Sequence, residues 1–414
     1  MSQLLTVADA RLRLLNLISP VDSEQVPLIH TVGRVLAEEV ISNVELPLFN
    51  NSSMDGYAVR AVDLAGIDLD HPMELNVVAD IPAGKMPTFE LGLNQAARIM
   101  TGAPLPEGAD AVIPIEYTDH YQSEKQIRYD FSDKVSVYRA VHAGENVRNK
   151  GQDIRIGNTI LQANQRLRPQ DVGLLAMLGL SRVPVYRKPR VAMVSIGDEL
   201  LPIDAPLQPG KIHDSNAYTL IGQVERDGGE ALYMGITPDN ENSITEVFER
   251  AVSDKVDLII SSAGVSVGAF DYVRTVVMSH GEINSWRVNM RPGKPLAFGH
   301  YQDVPFIGLP GNPVSAFVGY EVFVRPALLR LGGLNEFSRT LIKVKILDII
   351  ESDGRESYLR VVIKHEDGNW IGRLTGHQGS GNLHSLVEAN ALLIIPSGVK
   401  SLPSGAIVDA WMIE

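Results

Sequence analysis

The sequence predicts a multidomain protein in which a doubly wound α/β domain lies between β-rich regions. The chain has 414 residues, more than one hydrophobic core normally supports, so roughly two to four domains are expected. Residues 185–334 alternate apolar strand patterns with amphipathic helix patterns, whereas 46–149 and 335–414 carry short β-type segments separated by glycine and proline. Continuous apolar strands between amphipathic helices indicate a parallel sheet that is covered on both faces.

The remaining elements follow in chain order. Helical patterns are predicted over residues 7–18, 31–42 and 168–181, with Pro169 suited to a first helical turn. In the α/β region the predicted strands are "RVAMVSIG", "EALYMGI" and "VDLIISSAG", and the predicted helices are "SNAYTLIGQVERDGG", "ENSITEVFERAVSDK" and "DYVRTVVMSHG". The segments "KPLAFGHY" and "VPFIGLP" precede a long last helix from Asn312. A ligand site is expected at the C-terminal ends of these strands.

Composition excludes several classes of protein. Lys and Arg number 37 against 50 Asp and Glu, a formal charge of −13, which argues against nucleic acid as the main partner. There is no cysteine, so disulfides, thiolate nucleophiles and cysteine zinc sites are excluded. No run approaches the roughly 20 apolar residues of a membrane span, and the N-terminal segment lacks the apolar core of a secretory signal. We therefore expect a cytoplasmic protein without membrane or nucleic-acid partners.

Acidic residues follow two of the predicted strands. Asp198 and Glu199 come directly after "RVAMVSIG", and Asp239 follows "EALYMGI". Paired carboxylates at strand ends suit a hydrated metal ion or a helix N-terminus. The alternative for Asp198 and Asp239 is a purely structural cap or turn.

The segment "SSAGVSVGAFDY" places small residues after a third strand. Small side chains let backbone N–H groups approach an anion, and the next helix adds its positive end. The segment is neither a GxGxxG motif nor a Walker A loop, and such a turn also occurs for packing alone. Asp271 would repel a bare phosphate, which favours a bridging cation, although an N-cap is the alternative.

Cations and a helix start follow. Arg287, Arg291 and Lys294 lie close together around a Pro-Gly turn and indicate an oxyanion site, with solvated surface charge as the alternative. Asn312 is expected as N-cap and Pro313 as first helical residue, leaving free N–H groups at the same edge of the sheet.

In the β-rich region, spacing alone assigns only turn and loop chemistry. This holds for Asp55, Thr101, Arg148, Lys150 and Asp153. The histidines, including His213, His377 and His384, show no paired metal spacing, and surface or hydrogen-bonded roles are expected for them.

Eight segments in order resemble the molybdopterin molybdenumtransferase (MoeA-like) family, which includes the C-terminal catalytic domain of gephyrin. They are "NSSMDGYAVR", "RIMTGAPLPEGADAV", "KGQDIRIGN", "SIGDEL", "SSAGVSVGAFDY", "RPGKPLAFG", "GLPGNPVSA" and "LTGHQGSG". The resemblance implies a discontinuous N-terminal helical domain (1–45 and 150–184) into which the β-rich domain (46–149) is inserted. It also implies an α/β molybdopterin-binding domain (185–334) and a C-terminal β-barrel-like domain (335–414).

The resemblance further implies the last step of molybdenum cofactor biosynthesis. Adenylylated molybdopterin and molybdate would be the substrates, AMP the product and Mg²⁺ the cofactor. An elongated homodimer with its active site between subunits is implied, which would bring the β-rich domain of one subunit to the α/β domain of the other.

Site residues follow from the resemblance by motif position. The implied catalytic set is Asp55, Thr101, Asp153, Glu199, Asp239 and Asp271, of which Glu199, Asp239 and Asp271 would bind the metal. The implied substrate-binding set is Ser262, Gly264, Ser266, Gly268, Arg291, Lys294, Pro310, Asn312, Pro313, Arg360 and Ser380. Two positions depart from the family pattern, because Ala263 stands where glycine is common and Arg291 where lysine is common.

Two other functions stay open at this stage. One is adenylyl transfer to molybdopterin or a related nucleotide-processing reaction, since such enzymes share a similar α/β domain. The other is a non-catalytic scaffold, as gephyrin also anchors receptors.

Overall fold

The computed structural model describes residues 4–123, 126–127, 132–263 and 272–413. These form two compact units, and each is described by itself. The first contains residues 1–38, 163–176 and 180–414, and the second contains residues 39–162 and 177–179.

The helices and strands are numbered in chain order. The α-helices are α1 (Val7–Leu15), α2 (Pro169–Met177), α3 (Ser215–Arg226), α4 (Glu241–Ser253), α5 (Tyr272–His280), α6 (Pro313–Gly319), α7 (Arg325–Leu331) and α8 (His384–Glu388). The strands are β1 (Ser23–Pro27), β2 (Val40–Ile41), β3 (Asn51–Ser52), β4 (Gly56–Val59), β5 (Met73–Ile81), β6 (Gln95–Ile99), β7 (Ala111–Pro114), β8 (Tyr121–Ser123), β9 (Gln126–Ile127), β10 (Lys134–Val137), β11 (Val147–Arg148), β12 (Thr159–Leu161), β13 (Arg182–Tyr186), β14 (Arg190–Ile196), β15 (Leu200–Leu201), β16 (Ile212–His213), β17 (Glu230–Thr237), β18 (Leu258–Ser262), β19 (Gly281–Arg287), β20 (Met290–Arg291), β21 (Pro295–Tyr301), β22 (Val304–Leu309), β23 (Leu341–Ile346), β24 (Ile350–Glu351), β25 (Glu356–Glu366), β26 (Asn369–Leu374), β27 (Ala391–Ile395), β28 (Ser401–Leu402) and β29 (Ile407–Met412).

The central sheet of the first unit has the strand order β17-β14-β18-β22-β21-β19. Its two faces are both covered, as predicted. Val191 and Met193 of β14 pack into one buried cluster with α1, α3 and the last long helix. The alternate residues Ala192 and Val194 pack into a second cluster with α4 and α5. Because successive side chains of a strand point to opposite faces, the continuous apolar run serves both layers.

The predicted parallel sheet has an antiparallel edge. Strands β17, β14, β18 and β22 are parallel, but β21 runs antiparallel to β22 and β19 runs antiparallel to β21. No helix separates β21 from β22, so a short turn joins them as a hairpin, which only antiparallel strands allow.

The predicted helix over residues 31–42 was also wrong. This segment instead makes isolated bridges from Val35 to Arg166 and from Leu36 to Val185, and it ends in β2. Gly33 has a φ of +80°, which breaks a helix at that point. The helices predicted at 7–18 and 168–181 are confirmed in shorter form as α1 and α2, with Pro169 in the first turn.

In the second unit a five-stranded sheet has the order β10-β5-β6-β4-β7. Strand β4, next to the edge strand β7, is buried along its length and pairs antiparallel with both β6 and β7. Tyr57, Val59 and Ala111 pack with Val135 and other apolar residues on one face of this sheet. The smaller pairs β3–β11 and β2–β12 organise the loops around it.

The C-terminal part of the first unit is a closed barrel. The order β25-β26-β23-β29-β27 closes through pairing of β27 with β25, and β20 adds to β25 as a parallel strand. Closure removes the exposed sheet edge. The predicted combination of an α/β domain, a β-rich insertion and a barrel-like C-terminal domain is therefore confirmed, while the domain boundaries stay predictions. None of the described helices is long and apolar enough to cross a membrane.

One buried carboxylate connects the α/β layers to the barrel linker. Residues 313–331 form one helical stretch in which a π-helical turn, Tyr320–Val324, separates α6 from α7. The carboxylate of Glu321 in this turn has no exposed surface and accepts from Arg226 and Gln223 at 2.8 Å each. It also accepts from Arg339 at 2.9 and 2.6 Å, and Arg339 donates further to the carbonyl of Met412.

We predict that Glu321→Gln lowers the free energy of unfolding by about 3–5 kcal/mol, because it leaves the guanidinium of Arg339 without its carboxylate and removes one of the two carboxylates that pair with Arg226. The unfolding transition of the first unit in chemical denaturant measures this change in free energy. Glu225→Gln is the matched control, since Glu225 is exposed on α3. Equal stability of the two variants would contradict the prediction.

Candidate functional site

A cavity of about 420 Å³ opens at the C-terminal edge of the central sheet. The last residues of β14 and β18, the start of α3 and the turn before α6 surround it. Its lining includes Glu199, Asn216, Ser262, Ala263, Pro310, Gly311, Asn312 and Pro313. The predicted ligand edge of the sheet is thus an open cavity, and it brings together four of the predicted substrate-binding residues (Ser262, Pro310, Asn312 and Pro313).

The side chain of Asn216 ties two walls of this cavity together. Its Nδ2 donates to the Oγ of Ser262 and to the carbonyl of Gly311, both at 2.8 Å. Asn216 lies in the first turn of α3, whose N-cap Asp214 accepts from the N–H of Ala217 at 3.1 Å. Sequence reasoning missed Asn216, although a polar Asp-Ser-Asn start of a helix at a strand end was the available signal.

Ala263 occupies a backbone conformation that favours glycine. Its φ is +74°, in the left-handed region where an L-residue costs roughly 1–2 kcal/mol. A Cβ added to Gly311 would lie 3.2 Å from the Cβ of Ala263. The alanine methyl therefore lies against the bare backbone of Gly311, and the two positions are coupled.

Asp239 has no structural partner that explains it. The N-cap of α4 is Asn240, whose side chain accepts from the N–H of Ser243 at 3.0 Å, so a capping role for Asp239 is wrong. The Oδ1 of Asp239 is buried and has no hydrogen-bond partner among the described residues. Burial, then the charges of Asp198 and Glu199, raise the pKa of Asp239 above its usual range.

These carboxylates fit a hard cation. An orphaned, partly buried carboxylate oxygen beside two further acids is costly without a counter-charge and is the ligand type that Mg²⁺ prefers. Among the described residues no group of three or more candidate side chains surrounds one point. Mg²⁺ commonly uses only one or two carboxylates and completes its shell with water and substrate phosphates.

A cation cluster lies near the barrel. Arg291 and Arg355 share the carboxylate of Asp353, at 4.0 and 2.5 Å. The Arg355 hydrogen bond, with Arg291 contributing, holds the pKa of Asp353 below its usual range. Lys294 is exposed and, within the described part of the chain, makes no ion pair. Asp353 and Arg355 were missed because neither stands in a motif that spacing singles out.

Arg360 is buried and supports a loop. Its side chain donates to the Oγ of Ser385 at 3.0 Å and to the carbonyls of Gln378 and Gly379 at 3.3 and 3.0 Å. Burial, followed by the charge of Arg291, lowers its pKa to about 10. Arg360 thus holds the loop that contains Ser380, and its contact with substrate stays a prediction.

One of the backbone N–H groups at the start of α6 already has a hydrogen-bond acceptor. Asn312 is in the N-cap position but its side chain makes no capping hydrogen bond, and Pro313 follows as predicted. The N–H of Val314 donates to the carbonyl of Ser380 at 3.0 Å. One of the N–H groups predicted to be free is therefore bonded, because the barrel loop covers it.

The second unit brings together its own predicted residues. The backbone N–H and the Oγ1 of Thr101 both donate to the Oδ1 of Asp55 at 2.7 Å. Arg148 binds the carboxylate of Asp153. Backbone hydrogen bonds from Gly102 to Ser52 and pairing of β3 with β11 join the loops that carry these residues.

Tyr57 anchors the strand that follows Asp55. Its hydroxyl hydrogen-bonds to the Nδ1 of His120, and both side chains are buried. Burial raises the pKa of Tyr57 to about 12. This pair fixes β4, and with it the position of the Asp55 loop, inside the second unit.

Four predicted site residues lie outside the described residues: Gly264, Ser266, Gly268 and Asp271. Their roles stay predictions. His213, for which a hydrogen-bonded role was expected, has its Nε2 at 2.8 Å from the carbonyl of Ala205.

An α/β sheet with a cavity and acidic residues at its C-terminal edge, joined to a closed β-barrel, defines a multidomain α/β and β protein. Comparison with known proteins specifies the class. Residues 192–330 match the probable molybdopterin binding domain family. Residues 5–179 match the MoeA N-terminal region (domain I and II), and residues 343–413 match the MoeA C-terminal region (domain IV).

Full-length relatives agree with these matches. The molybdopterin molybdenumtransferase of Nostoc sp. is 39% identical over 97% of this chain and 92% of its own length. The protein of the same name from Bacillus subtilis is 35% identical over 95% and 90%. The crystal structure of the molybdopterin biosynthesis MoeA protein from Pyrococcus horikoshii is 31% identical, with a TM-score of 0.83 over 99% of each chain. The chain belongs to the molybdopterin molybdenumtransferase (MoeA) family.

We predict that Gly311→Ala and Ala263→Gly compensate each other. Gly311→Ala alone should cost roughly 1–3 kcal/mol through the close methyl contact, and Ala263→Gly should remove most of that cost. Ala263→Gly alone should be neutral or stabilising by up to about 1 kcal/mol. A double-mutant cycle in denaturant measures the coupling.

The control cycle replaces Gly311→Ala with Gly222→Ala, because nothing lies within 4 Å of a Cβ at Gly222. That pair should be additive. Additivity in both cycles would mean that the Ala263 methyl does not lie against Gly311.

Proposed function

We propose that this chain inserts molybdenum from molybdate into adenylylated molybdopterin and releases AMP, which is the last step of molybdenum cofactor biosynthesis. The observation that carries the proposal is the C-terminal-edge cavity, which has acids at one rim and a cation cluster on nearby strands. Its setting in a chain similar over nearly its whole length to curated molybdopterin molybdenumtransferases supports this substrate class.

The acidic rim is proposed as the Mg²⁺ site. Glu199 and Asp239 would hold the ion together with Asp271, and bound Mg²⁺ would polarise the pyrophosphate of the adenylylated substrate. The orphaned Oδ1 of Asp239 supports this assignment. Asn216 keeps Ser262 and the Gly311 carbonyl in place, so the cavity wall is formed before substrate arrives.

The cations are proposed to bind the oxyanion. Lys294 and Arg291 are available to bind a tetrahedral dianion. Lys294 makes no ion pair in the described chain, and the Nη1 of Arg291 lies 4.0 Å from the carboxylate of Asp353, at the limit of an ion pair. Arg360 would act by holding the loop of Ser380 against the start of α6. Molybdate bound here would react as if at high effective concentration.

The assembly is proposed to be a homodimer with its active site between subunits. The paired Asp55–Thr101 cluster and Asp153 would then join the cavity from the partner's β-rich unit. The support is chemical: Asp55 is exposed and oriented by two donors from Thr101, as expected for a carboxylate that acts on a ligand. The cytoplasmic location stays a prediction.

Adenylyl transfer and a purely scaffolding role are less well supported. The chain matches the MoeA N-terminal and C-terminal regions in addition to the molybdopterin binding domain. An adenylyltransferase that shares only the α/β domain would be expected to match the molybdopterin binding domain alone.

The first test is turnover. Purified protein given adenylylated molybdopterin, Mg²⁺ and molybdate should release AMP and yield a cofactor that activates a molybdenum-free apoenzyme. Formation of adenylylated molybdopterin from ATP would instead support the adenylyltransferase. A stoichiometric protein partner without any AMP release would support the scaffold.

The second test concerns Asp239. In Mg²⁺-free buffer near neutral pH, Asp239→Asn should raise the melting temperature, because the raised pKa means that its ionised form opposes folding. The wild-type stability falls as pH rises from the ordinary aspartate range through this raised pKa, so the difference should vanish below about pH 4.

The same variant should lose about 100-fold or more in AMP release, since loss of a metal ligand removes several kcal/mol of transition-state stabilisation. Added Mg²⁺ should stabilise the wild type and not Asp239→Asn. Asp204→Asn, an exposed acid in the neighbouring loop, is the control and should behave as wild type. Equal Mg²⁺ stabilisation of all three proteins would reject this metal site.

A further inference from the structure

A second cavity, of about 190 Å³, lies at the opposite edge of the central sheet. Lys188 and Pro189 line it directly before β14, and Asp227 and Gly228 line it directly before β17. Since these parallel strands all begin at this edge, the cavity is separated from the C-terminal-edge site by the length of a strand, roughly 20 Å. No part of the proposed reaction uses it.

Its lining is strongly cationic in an acidic protein. Among the described residues, four basic side chains and one carboxylate line the cavity, whereas the whole chain carries a formal charge of −13. The basic side chains come from three separate segments and are Arg34, Arg166, Arg187 and Lys188. The carboxylate, Asp227, is already bound by Arg226 at 2.8 Å and by the hydroxyl of Tyr320 at 3.1 Å.

Two of the guanidinium groups are held in place. Arg34 donates to Glu24 and, at 2.8 Å, to the carbonyl of Tyr186. Arg187 forms a bidentate pair with Asp257 at 2.6 and 2.7 Å. Their side chains are 17% and 32% exposed, so these two cations are oriented before any ligand arrives.

The other two cations lack a counter-charge. Within the described residues neither Arg166 nor Lys188 has a carboxylate within ion-pair distance. The Nη1 of Arg166 donates to the carbonyl of Gly33 at 3.2 Å and lies 4.0 Å from where a Cβ of Gly228 would stand. Arg166 therefore spans the cavity between two of its walls.

We propose that this cavity binds a small tetrahedral oxyanion. Two cations without an ion pair in the described structure, Arg166 and Lys188, and two guanidinium groups already held by Glu24 and Asp257 surround about 190 Å³, which suits phosphate, sulfate or molybdate by size, with Arg166 and Lys188 supplying the unbalanced positive charge. The ligand would bridge the segment around Arg34, the side chain of Arg166 and the residues that precede β14. It would thereby stabilise the first unit from a position remote from the reaction.

A structural role for these cations is the competing explanation. Both α3 and α7 end at the cavity, next to Gly228 and Gly332, and cations stabilise helix C-termini. That role needs no ligand, so the two explanations differ in whether stability depends on added oxyanion.

The test is calorimetric titration of the full chain with orthophosphate, sulfate and molybdate at constant ionic strength in chloride buffer. Lys188→Gln is the main variant, because Lys188 is exposed and makes no side-chain hydrogen bond in the described structure. We expect about tenfold weaker binding for this variant and a further tenfold loss in Lys188→Gln with Arg166→Gln. The exposed barrel cations Lys364 and Arg373, replaced by Gln, form the matched control pair.

The three anions identify the source of the ligand, and tighter binding of any one at the Lys188-dependent site supports the proposal. Oxyanion should also raise the melting temperature of wild type and control but not of the double variant. Absence of saturable binding, or equal affinity in the double variant and the control, would overturn it. A difference in melting temperature between wild type and the double variant that is equally large with and without oxyanion would also overturn it, because the cations would then stabilise the helix ends without a ligand.

Discussion

The buried carboxylate of Glu321 is the interaction on which the first unit's geometry depends. It accepts hydrogen bonds from α3 and from the linker to the barrel while lying inside the last long helix. A charge without exposed surface is tolerated only when every part of its shell is present, so these elements can pack in one arrangement. The same helix begins at Pro313, where the barrel loop covers the N–H of Val314. The site edge and the barrel are therefore fixed through a single helical stretch.

At the C-terminal edge of the central sheet, where the reaction is proposed to take place, polar and backbone groups are left without the contacts that would stabilise them. Asp239 keeps an unpartnered oxygen next to two other acids, and Ala263 keeps a left-handed backbone. Both features cost stability, and they cluster where strands end and a ligand would supply the missing contacts. Glu321 satisfies every requirement of a buried charge, whereas Asp239 leaves one open. This contrast distinguishes the structural carboxylate of Glu321 from the carboxylate proposed to bind Mg²⁺ more clearly than burial does.

The sequence predicts regular elements well where one rule dominates. Continuous apolar strands such as β14 and β18 are recognisable because both faces are buried, and α3 and α4 show clear amphipathic spacing. Residues 31–42 show helical spacing too, but pairing of Val35 and Leu36 with distant strands and the positive φ of Gly33 decide the outcome. Those partners, Arg166 and Val185, lie more than a hundred residues away, so no local pattern contains them. The role of Asp239 was equally undetermined, since its neighbour Asn240 is an equally good cap.

The cations at the N-terminal edge of the central sheet could not be predicted as a group from the sequence either. Arg166, Arg187 and Lys188 stand in no motif, and the net negative charge of the chain hides them. Arg187 and Lys188 precede β14, and the bridge between Val35 and Arg166 brings Arg166 to the same cavity. The C-terminal edge collects small residues, backbone donors and acids, while the N-terminal edge collects cations. A motif search finds the first set because its residues are consecutive in loops. The cations at the N-terminal edge are recognisable only in the folded structure, because they come from three separate segments of the chain.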